Sequence, residues 1–104
     1  MKKIIGGKRY DTATAQKVAS DSASCSKSDF SYYAESLYRT MSGRFYLVGE
    51  GGPMSHYAEA IDSNSWTGGS DLRPLSEKEA REWLEQTGNT EALEDHFAQS
   101  IVDA

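Results

Sequence analysis

The sequence predicts an α+β fold: a small antiparallel sheet, made of two hairpins plus one or two short strands, packed by a short N-terminal helix and two C-terminal helices. The prediction rests on three features: a glycine pair after residues 1–5, a second glycine-containing turn between aromatic-rich segments, and apolar residues at helical spacing beyond position 76. A chain of 104 residues is long enough for one core and too short for two. We therefore expect a single domain over residues 1–104.

The first hairpin is predicted to pair residues 2–5 with residues 8–10. Gly6 and Gly7 lie between these segments, and glycine supplies the positive φ angles that a two-residue turn requires. Residues 2–5 are thus expected to fold back directly on the segment that follows them.

A short helix is expected next, over residues 13–19, where good helix formers are concentrated. Asp11 or Thr12 can cap it by accepting a hydrogen bond from a free backbone amide. Residues 20–31 are rich in Ser, Asp, Lys and Ala, so a mobile loop is expected there.

The second hairpin is predicted to join residues 32–40 to residues 45–49, because both are rich in Tyr, Leu, Phe and Val. A turn at Ser42-Gly43 places Tyr38 opposite Leu47, on one face of the sheet. The other face then carries Leu37, Arg39, Tyr46 and Val48. A slip of one residue would exchange the two faces.

Two further strands are predicted before the helices. Residues 54–61 are expected to form a strand, although a helical turn is the alternative, and residues 62–70 a loop. Residues 71–75 are expected to form a last short strand. Pro74 restricts that strand to the edge or an end of the sheet, because proline has no amide proton for a ladder hydrogen bond.

A capping box predicts the start of the first C-terminal helix. The hydroxyl of Ser76 and the carboxylate of Glu79 each satisfy a terminal backbone amide, so the helix is expected to begin at Glu77. Ala80, Trp83 and Leu84 follow at helical spacing. Gly88 is the expected stop.

A second helix is expected after Asn89 or Thr90, either of which can serve as its cap. Leu93, Phe97 and Ile101 are spaced four apart, which places them on one face. We expect this face to pack against the sheet.

The charge is concentrated at the C-terminal end. The whole chain carries a net charge of −5, yet residues 1–70 are close to neutral and residues 71–104 carry about −6. Such a field attracts basic partners and disfavours direct binding of nucleic acid, whose phosphates must be neutralised. The structural alternative is a pair of solvated helices.

The cysteine and histidine residues do not indicate a metal site, a cofactor site or a disulfide bond. Cys25 is the only cysteine, and His56 and His96 lack the paired spacing that zinc sites show, so we expect no metal, no cofactor and no internal disulfide. No apolar run approaches the length of a membrane span, and no signal-peptide core follows Met1. We expect a cytoplasmic protein without membrane association.

One enzyme class remains open, a small ribonuclease. It would use a carboxylate, a histidine and arginines as general base, general acid and phosphate ligands. The candidate residues are Glu50, His56, Arg39 and Arg44. Nothing in their spacing compels them to converge, so we favour a protein that is not an enzyme.

Three segments of the chain resemble a known group of proteins: MKKIIGGKRYDTATA, LYRTMSGRFYLVGEGGPMSHYAE and DLRPLSEKEAREWLE. They are similar to small uncharacterised proteins of Firmicutes mobile genetic elements, namely phages, plasmids and integrative elements. Some proteins of that kind are anti-CRISPR inhibitors. The resemblance implies a non-catalytic inhibitor that blocks a CRISPR effector nuclease in the bacterial host cell.

The partner-binding surface is predicted to combine acidic helices with an aromatic anchor, since rim charges mainly accelerate association. The acidic residues are Glu77, Glu82, Glu85, Glu91, Glu94 and Asp95. Arg39 and Tyr46 on the hairpin are the expected anchor, because Tyr and Arg dominate binding hot spots. An accessory module that binds another bacterial protein is the alternative, and the sequence leaves both monomer and homodimer open.

Overall fold

The main sheet of the protein has four antiparallel strands. Two helices pack on one face of this sheet, and a separate hairpin packs on the other. The computed structural model describes residues 2–23, 33–52, 59–60, 66–67 and 69–104. The strands are β1 (Lys2–Ile5), β2 (Lys8–Asp11), β3 (Gln16–Ala23), β4 (Tyr33–Arg39), β5 (Phe45–Gly51), β6 (Glu59–Ala60), β7 (Trp66–Thr67) and β8 (Gly69–Leu75). The helices are α1 (Glu77–Gln86) and α2 (Thr90–Phe97), followed by a 3-10 turn over Ala98–Ser100. The α+β class is confirmed.

The N-terminal hairpin agrees with the prediction. Strands β1 and β2 pair antiparallel around Gly6 and Gly7, whose φ angles are 59° and 77°. Both angles lie in the left-handed region that glycine adopts without steric cost. Ile5 and Tyr10 then face the main sheet and pack against it.

The predicted N-terminal helix is wrong, because residues 16–23 form strand β3. The Asp11 carboxylate does cap the backbone, but it accepts a hydrogen bond from the amide of Ala13 (3.0 Å) and closes a turn. A seven-residue helix is marginal alone, whereas seven of the eight residues of β3 pair with β4, with an irregularity at Val18. Residues 20–23 of the expected mobile loop therefore belong to β3, and residues 24–31 lie outside the described residues.

The register of the β4–β5 hairpin differs from the prediction by one residue. Leu37 pairs with Leu47, and Tyr38 pairs with Tyr46. The connection is longer than a two-residue turn: Thr40 donates its amide to the carbonyl of Arg44 (2.8 Å), and Gly43 adopts a φ of 91°. The slip moves Leu37 to the face that carries Leu47 and moves Tyr38 to the other.

Each face of the sheet has its own apolar cluster, because side chains alternate along every strand. The helix side contains Leu37, Phe45, Leu47, Ala80, Leu84 and Phe97. The hairpin side contains Tyr10, Tyr46 and Leu72, with Ile5, Ala15, Tyr38 and Val48 packed around them. The main sheet therefore separates the hairpin β1–β2 from the helices.

Strand β8 lies at the edge of the main sheet, in the order β3-β4-β5-β8. Its Pro74 pairs with Tyr46, and the edge position agrees with the prediction for residues 71–75. Of the strand expected over residues 54–61, the structure describes only Glu59–Ala60, which pairs with Trp66–Thr67. The rest of that prediction lies outside the described residues, and the expected loop contributes β7 and the first residues of β8.

Helix α1 begins at Glu77, as predicted. The Ser76 hydroxyl accepts a hydrogen bond from the Glu79 amide (3.1 Å), and the Glu79 carboxylate accepts one from the Ser76 amide (3.0 Å). The hydrogen bond from the Ser76 amide is the main cause that lowers the pKa of the Glu79 carboxyl group, and the Ser76 side chain adds to this effect. Gly88, with a φ of 72°, ends the helix as expected.

Helix α2 ends at Phe97, earlier than the sequence spacing suggested. Leu93 and Phe97 pack against the sheet, but Ile101 follows the 3-10 turn and is 44% exposed. In the part of the chain that the structure describes, no helix is long and apolar enough to cross a membrane.

We expect Ser76→Ala to lower the free energy of unfolding by about 1 kcal/mol, because the amide of Glu79 loses its capping acceptor. Ser76→Gly should lower the free energy of unfolding by only a few tenths of a kcal/mol, since glycine is also favoured at the N-cap of a helix. Urea denaturation of both variants measures the difference. Equal losses in the two variants would contradict a capping role for the hydroxyl.

Candidate protein-binding site

The acidic side chains of α1 project from its solvent face. Ala80 and Leu84 are buried against the sheet, and the helical period therefore turns Glu82 and Glu85 outward, where both are exposed. Glu77 is also exposed, at the first turn. Glu82 has one basic neighbour, Lys78, at 3.9 Å between Nζ and Oε1, and this pair is open to solvent.

The acidic side chains of α2 follow the same pattern. Phe97 is buried and Leu93 is half-buried, while Glu91, Glu94 and Asp95 are exposed. We call the six residues the acidic surface: Glu77, Glu82, Glu85, Glu91, Glu94 and Asp95.

The connection between α1 and α2 holds the two helices in a defined arrangement. Asn89 donates its amide to the Leu84 carbonyl (3.0 Å), and its side chain donates to the Thr87 hydroxyl (2.6 Å). Thr87 in turn donates its hydroxyl to the Trp83 carbonyl (2.8 Å). The acidic surface is therefore carried by packed helices whose junction is hydrogen-bonded, which suits a preorganised binding surface.

The acidic surface has a clear excess of negative charge. Residues 77–97 contain seven carboxylates and two basic side chains, Lys78 and Arg81. Among the described residues, the ion pairs of this region are limited to Lys78 with Glu82. Most of the carboxylates are thus free to interact with an external cation.

Arg39 lies beside the acidic surface. Its guanidinium sits 5.7 Å from the centre of the Phe45 ring, and its Nη1 is 3.4 Å from Nδ1 of His96. Because a guanidinium can only donate, His96 Nδ1 must be the acceptor in this contact. A groove of about 400 Å³ opens here, lined by Arg39, Phe45, Glu77, Asp95, His96, Phe97, Ala98, Gln99 and Ser100. The structure therefore brings Arg39 together with two members of the acidic surface.

Arg39 also lines a second groove, of about 520 Å³. It is lined by Thr14, Ala15, Gln16, Arg39, Thr40 and Met41. The Met41 side chain is 94% exposed at the tip of the β4–β5 turn. Met41 is not among the residues predicted for the site, because a single methionine in a turn carries no periodic signal in the sequence.

Tyr46 is not available as a surface anchor, which corrects the prediction. Its side chain is 0% exposed, and it faces the hairpin side of the sheet, opposite to Arg39. The Tyr10 ring meets it edge-on and the Tyr38 ring stacks on it, both at 5.4 Å between centroids. Burial, with contributions from Tyr38 and Asp11, raises the pKa of Tyr46 to about 12.

The residues considered for a ribonuclease do not form one site in the described part of the chain. Glu50 pairs with Ala34 and faces the hairpin side, whereas Arg39 faces the helix side near the other end of β4. His56 and Cys25 lie outside the described residues. Within the described residues, no three His, Cys, Asp or Glu side chains are grouped to hold a metal ion.

Trp83 contributes to packing more than to the surface. Its ring is half-buried against the helix-side cluster, and its indole N–H donates to the Glu35 carboxylate at 3.5 Å. This contact ties α1 to β4 and supports the orientation of the acidic surface.

Comparison with protein-family models, with curated proteins and with solved structures gave no match for this chain.

Proposed function

We propose that this protein is a non-catalytic, protein-binding inhibitor of the anti-CRISPR type, which blocks a CRISPR effector through the acidic surface. One observation carries the proposal: the exposed carboxylates on the outer faces of α1 and α2, held by helices with a hydrogen-bonded junction. The resemblance to proteins of Firmicutes mobile genetic elements supports the choice of target. CRISPR effectors hold nucleic acid in positively charged channels, which a negative surface complements.

The anchor of this interaction is assigned to Arg39 and Met41. Charges at the rim of an interface raise the association rate but add little affinity, so a less solvated contact is needed. Arginine and methionine are enriched at protein interfaces. Arg39 lines both grooves, and the exposed Met41 lines one of them, so both can reach a partner that covers the adjacent acidic surface.

A plasmid-interference assay tests the proposed target class. Bacteria that carry a defined CRISPR system reject a matching plasmid, and expression of this protein should restore transformation by that plasmid. The assay is run with type I, type II and type V systems. If transformation is restored with none of them, the anti-CRISPR proposal is wrong.

Charge reversal tests the surface. We expect Glu85→Lys with Glu94→Lys to weaken binding to the inhibited effector at least tenfold, because two attractive contacts become repulsive. Both side chains are exposed, so the free energy of unfolding should change by less than about 1 kcal/mol.

The matched control is Glu50→Lys with Asp71→Lys, which changes the net charge equally at exposed positions of β5 and β8. Surface plasmon resonance with the effector measures both variants. Equal weakening by the two variants would mean that only net charge matters, and the acidic surface would not be the binding site.

A further inference from the structure

The N-terminal hairpin is strongly basic, in contrast to the helices. Lys2, Lys3, Lys8 and Arg9 are all exposed on β1 and β2. Two of these side chains, Lys2 and Arg9, alternate with Ile4 and Asp11 on the face of the hairpin that points away from the main sheet, because Ile5 and Tyr10 occupy the inner face. Ile4 is 66% exposed on the outer face and lies directly opposite Arg9.

Most of this positive charge is uncompensated. Lys3 pairs with Asp71 at 3.2 Å between Nζ and Oδ1, and both side chains are about half exposed. Within the described ranges, Lys2, Lys8 and Arg9 form no ion pair. Asp11 lies opposite Lys2 in the ladder, where its carboxylate accepts the Ala13 amide. Three cations of the hairpin therefore remain open to an external anion.

The acidic surface does not cancel this field, because the main sheet lies between them. The hairpin packs on the Tyr46 side and the helices pack on the Leu37 side. Packed layers are spaced by about 10 Å, so the outer faces are roughly 20 Å apart. The Debye length at physiological salt is about 8 Å, so each face acts almost independently on a ligand. The net charge of −5 thus says little about what the hairpin binds.

We propose that the hairpin β1–β2 binds double-stranded DNA through its phosphate backbone. A two-stranded ribbon has the width of the major groove, and its exposed lysines and arginine complement phosphates. The outer face presents Lys2, Ile4, Arg9 and Asp11, and the proposed contacts of Lys2 and Arg9 are to phosphates, which carry no sequence information. The binding is therefore independent of sequence and dependent on salt. This inference does not rest on the proposed function, because it concerns the opposite face of the sheet.

Fluorescence anisotropy with a labelled DNA duplex tests the inference. Contacts to about three phosphates predict that affinity falls by about 20-fold between 50 and 150 mM monovalent salt. We expect Lys2→Glu with Arg9→Glu to lower the affinity by about tenfold or more at the lower salt concentration, because two phosphate contacts are lost.

The matched control is Arg73→Glu with Lys78→Glu, which makes the same change in net charge at exposed positions on β8 and α1. It should change the affinity by less than about threefold, since both side chains lie outside the hairpin and make none of the proposed phosphate contacts. Circular dichroism of each variant establishes that it is folded.

Three outcomes would overturn the inference. The first is no binding of the duplex by the wild type at low salt. The second is an equal loss of affinity in the hairpin and control variants, which would reflect net charge alone. The third is that the wild type does not bind DNA but self-associates in sedimentation, and that the hairpin variant abolishes this self-association. The ligand of the hairpin would then be the acidic surface of a second copy of the protein. Retained DNA binding by Glu85→Lys with Glu94→Lys would separate this site from the acidic surface.

Discussion

Replacing Leu84 with alanine is expected to lower the free energy of unfolding by about 2 to 5 kcal/mol, the largest effect that we predict for a single substitution. Leu84 is 0% exposed and packs in the helix-side cluster with Leu37, Phe45 and Phe97. Truncation removes buried methyl groups and leaves a cavity between α1 and the sheet, which surrounding side chains fill only in part. The expected loss is a large share of the total stability of a small domain.

Val102→Ala is the control for this substitution. Val102 is 86% exposed, so its truncation should change stability by less than about 0.5 kcal/mol. Urea denaturation followed by circular dichroism measures both variants. A loss below about 1 kcal/mol for Leu84→Ala would show that α1 does not pack on the sheet as described, and the acidic surface would lose its support.

The stability of the protein should also fall by about 2 to 3 kcal/mol as the pH rises from 10 to 12, owing to Tyr46. Its pKa is raised from the ordinary value of 10.0 to about 12 in the folded protein. Below pH 10 the phenol is protonated in both states and contributes no pH dependence. Above pH 10 the unfolded chain loses this proton while the folded protein keeps it, so unfolding becomes easier until the pH passes 12.

Tyr46→Phe isolates this effect from other tyrosines, such as Tyr33, whose pKa is also raised, chiefly by burial. The variant lacks the titrating group, so between pH 10 and 12 its loss of stability should be smaller than that of the wild type by about 2 to 3 kcal/mol. At neutral pH it should be at least as stable as the wild type, because the buried Tyr46 hydroxyl has no hydrogen-bond partner among the described residues. Parallel alkaline profiles of the two proteins would contradict the burial of this hydroxyl.

Several local features follow directly from the sequence. The glycine pair closes the N-terminal hairpin, and the Ser76 and Glu79 side chains define the start of α1. Gly88 ends that helix with a positive φ. Each feature is complete within a few neighbouring residues, because turn and cap hydrogen bonds join groups that are close along the chain.

Pairings between distant residues were predicted less well. Residues 16–19 have good helix formers, yet they pair with β4 because the ladder offers hydrogen bonds that a short isolated helix cannot match. The β4–β5 register differed by one residue because the connection has five residues from Thr40 to Arg44. That difference exchanged the faces of β4, and long-range packing placed Tyr46 in the hairpin-side cluster.

The amino-acid order already defined how many charges each segment carries, where the tight turns lie and where the helix begins, because these depend on nearby groups alone. The assignment of each charge to a side of the molecule came from strand pairing and packing. Those interactions place the basic hairpin and the acidic helices on opposite faces of one sheet, where the salt in solution screens one set of exposed charges from the other. Two surfaces of opposite charge thus coexist in a chain whose net charge indicates only one.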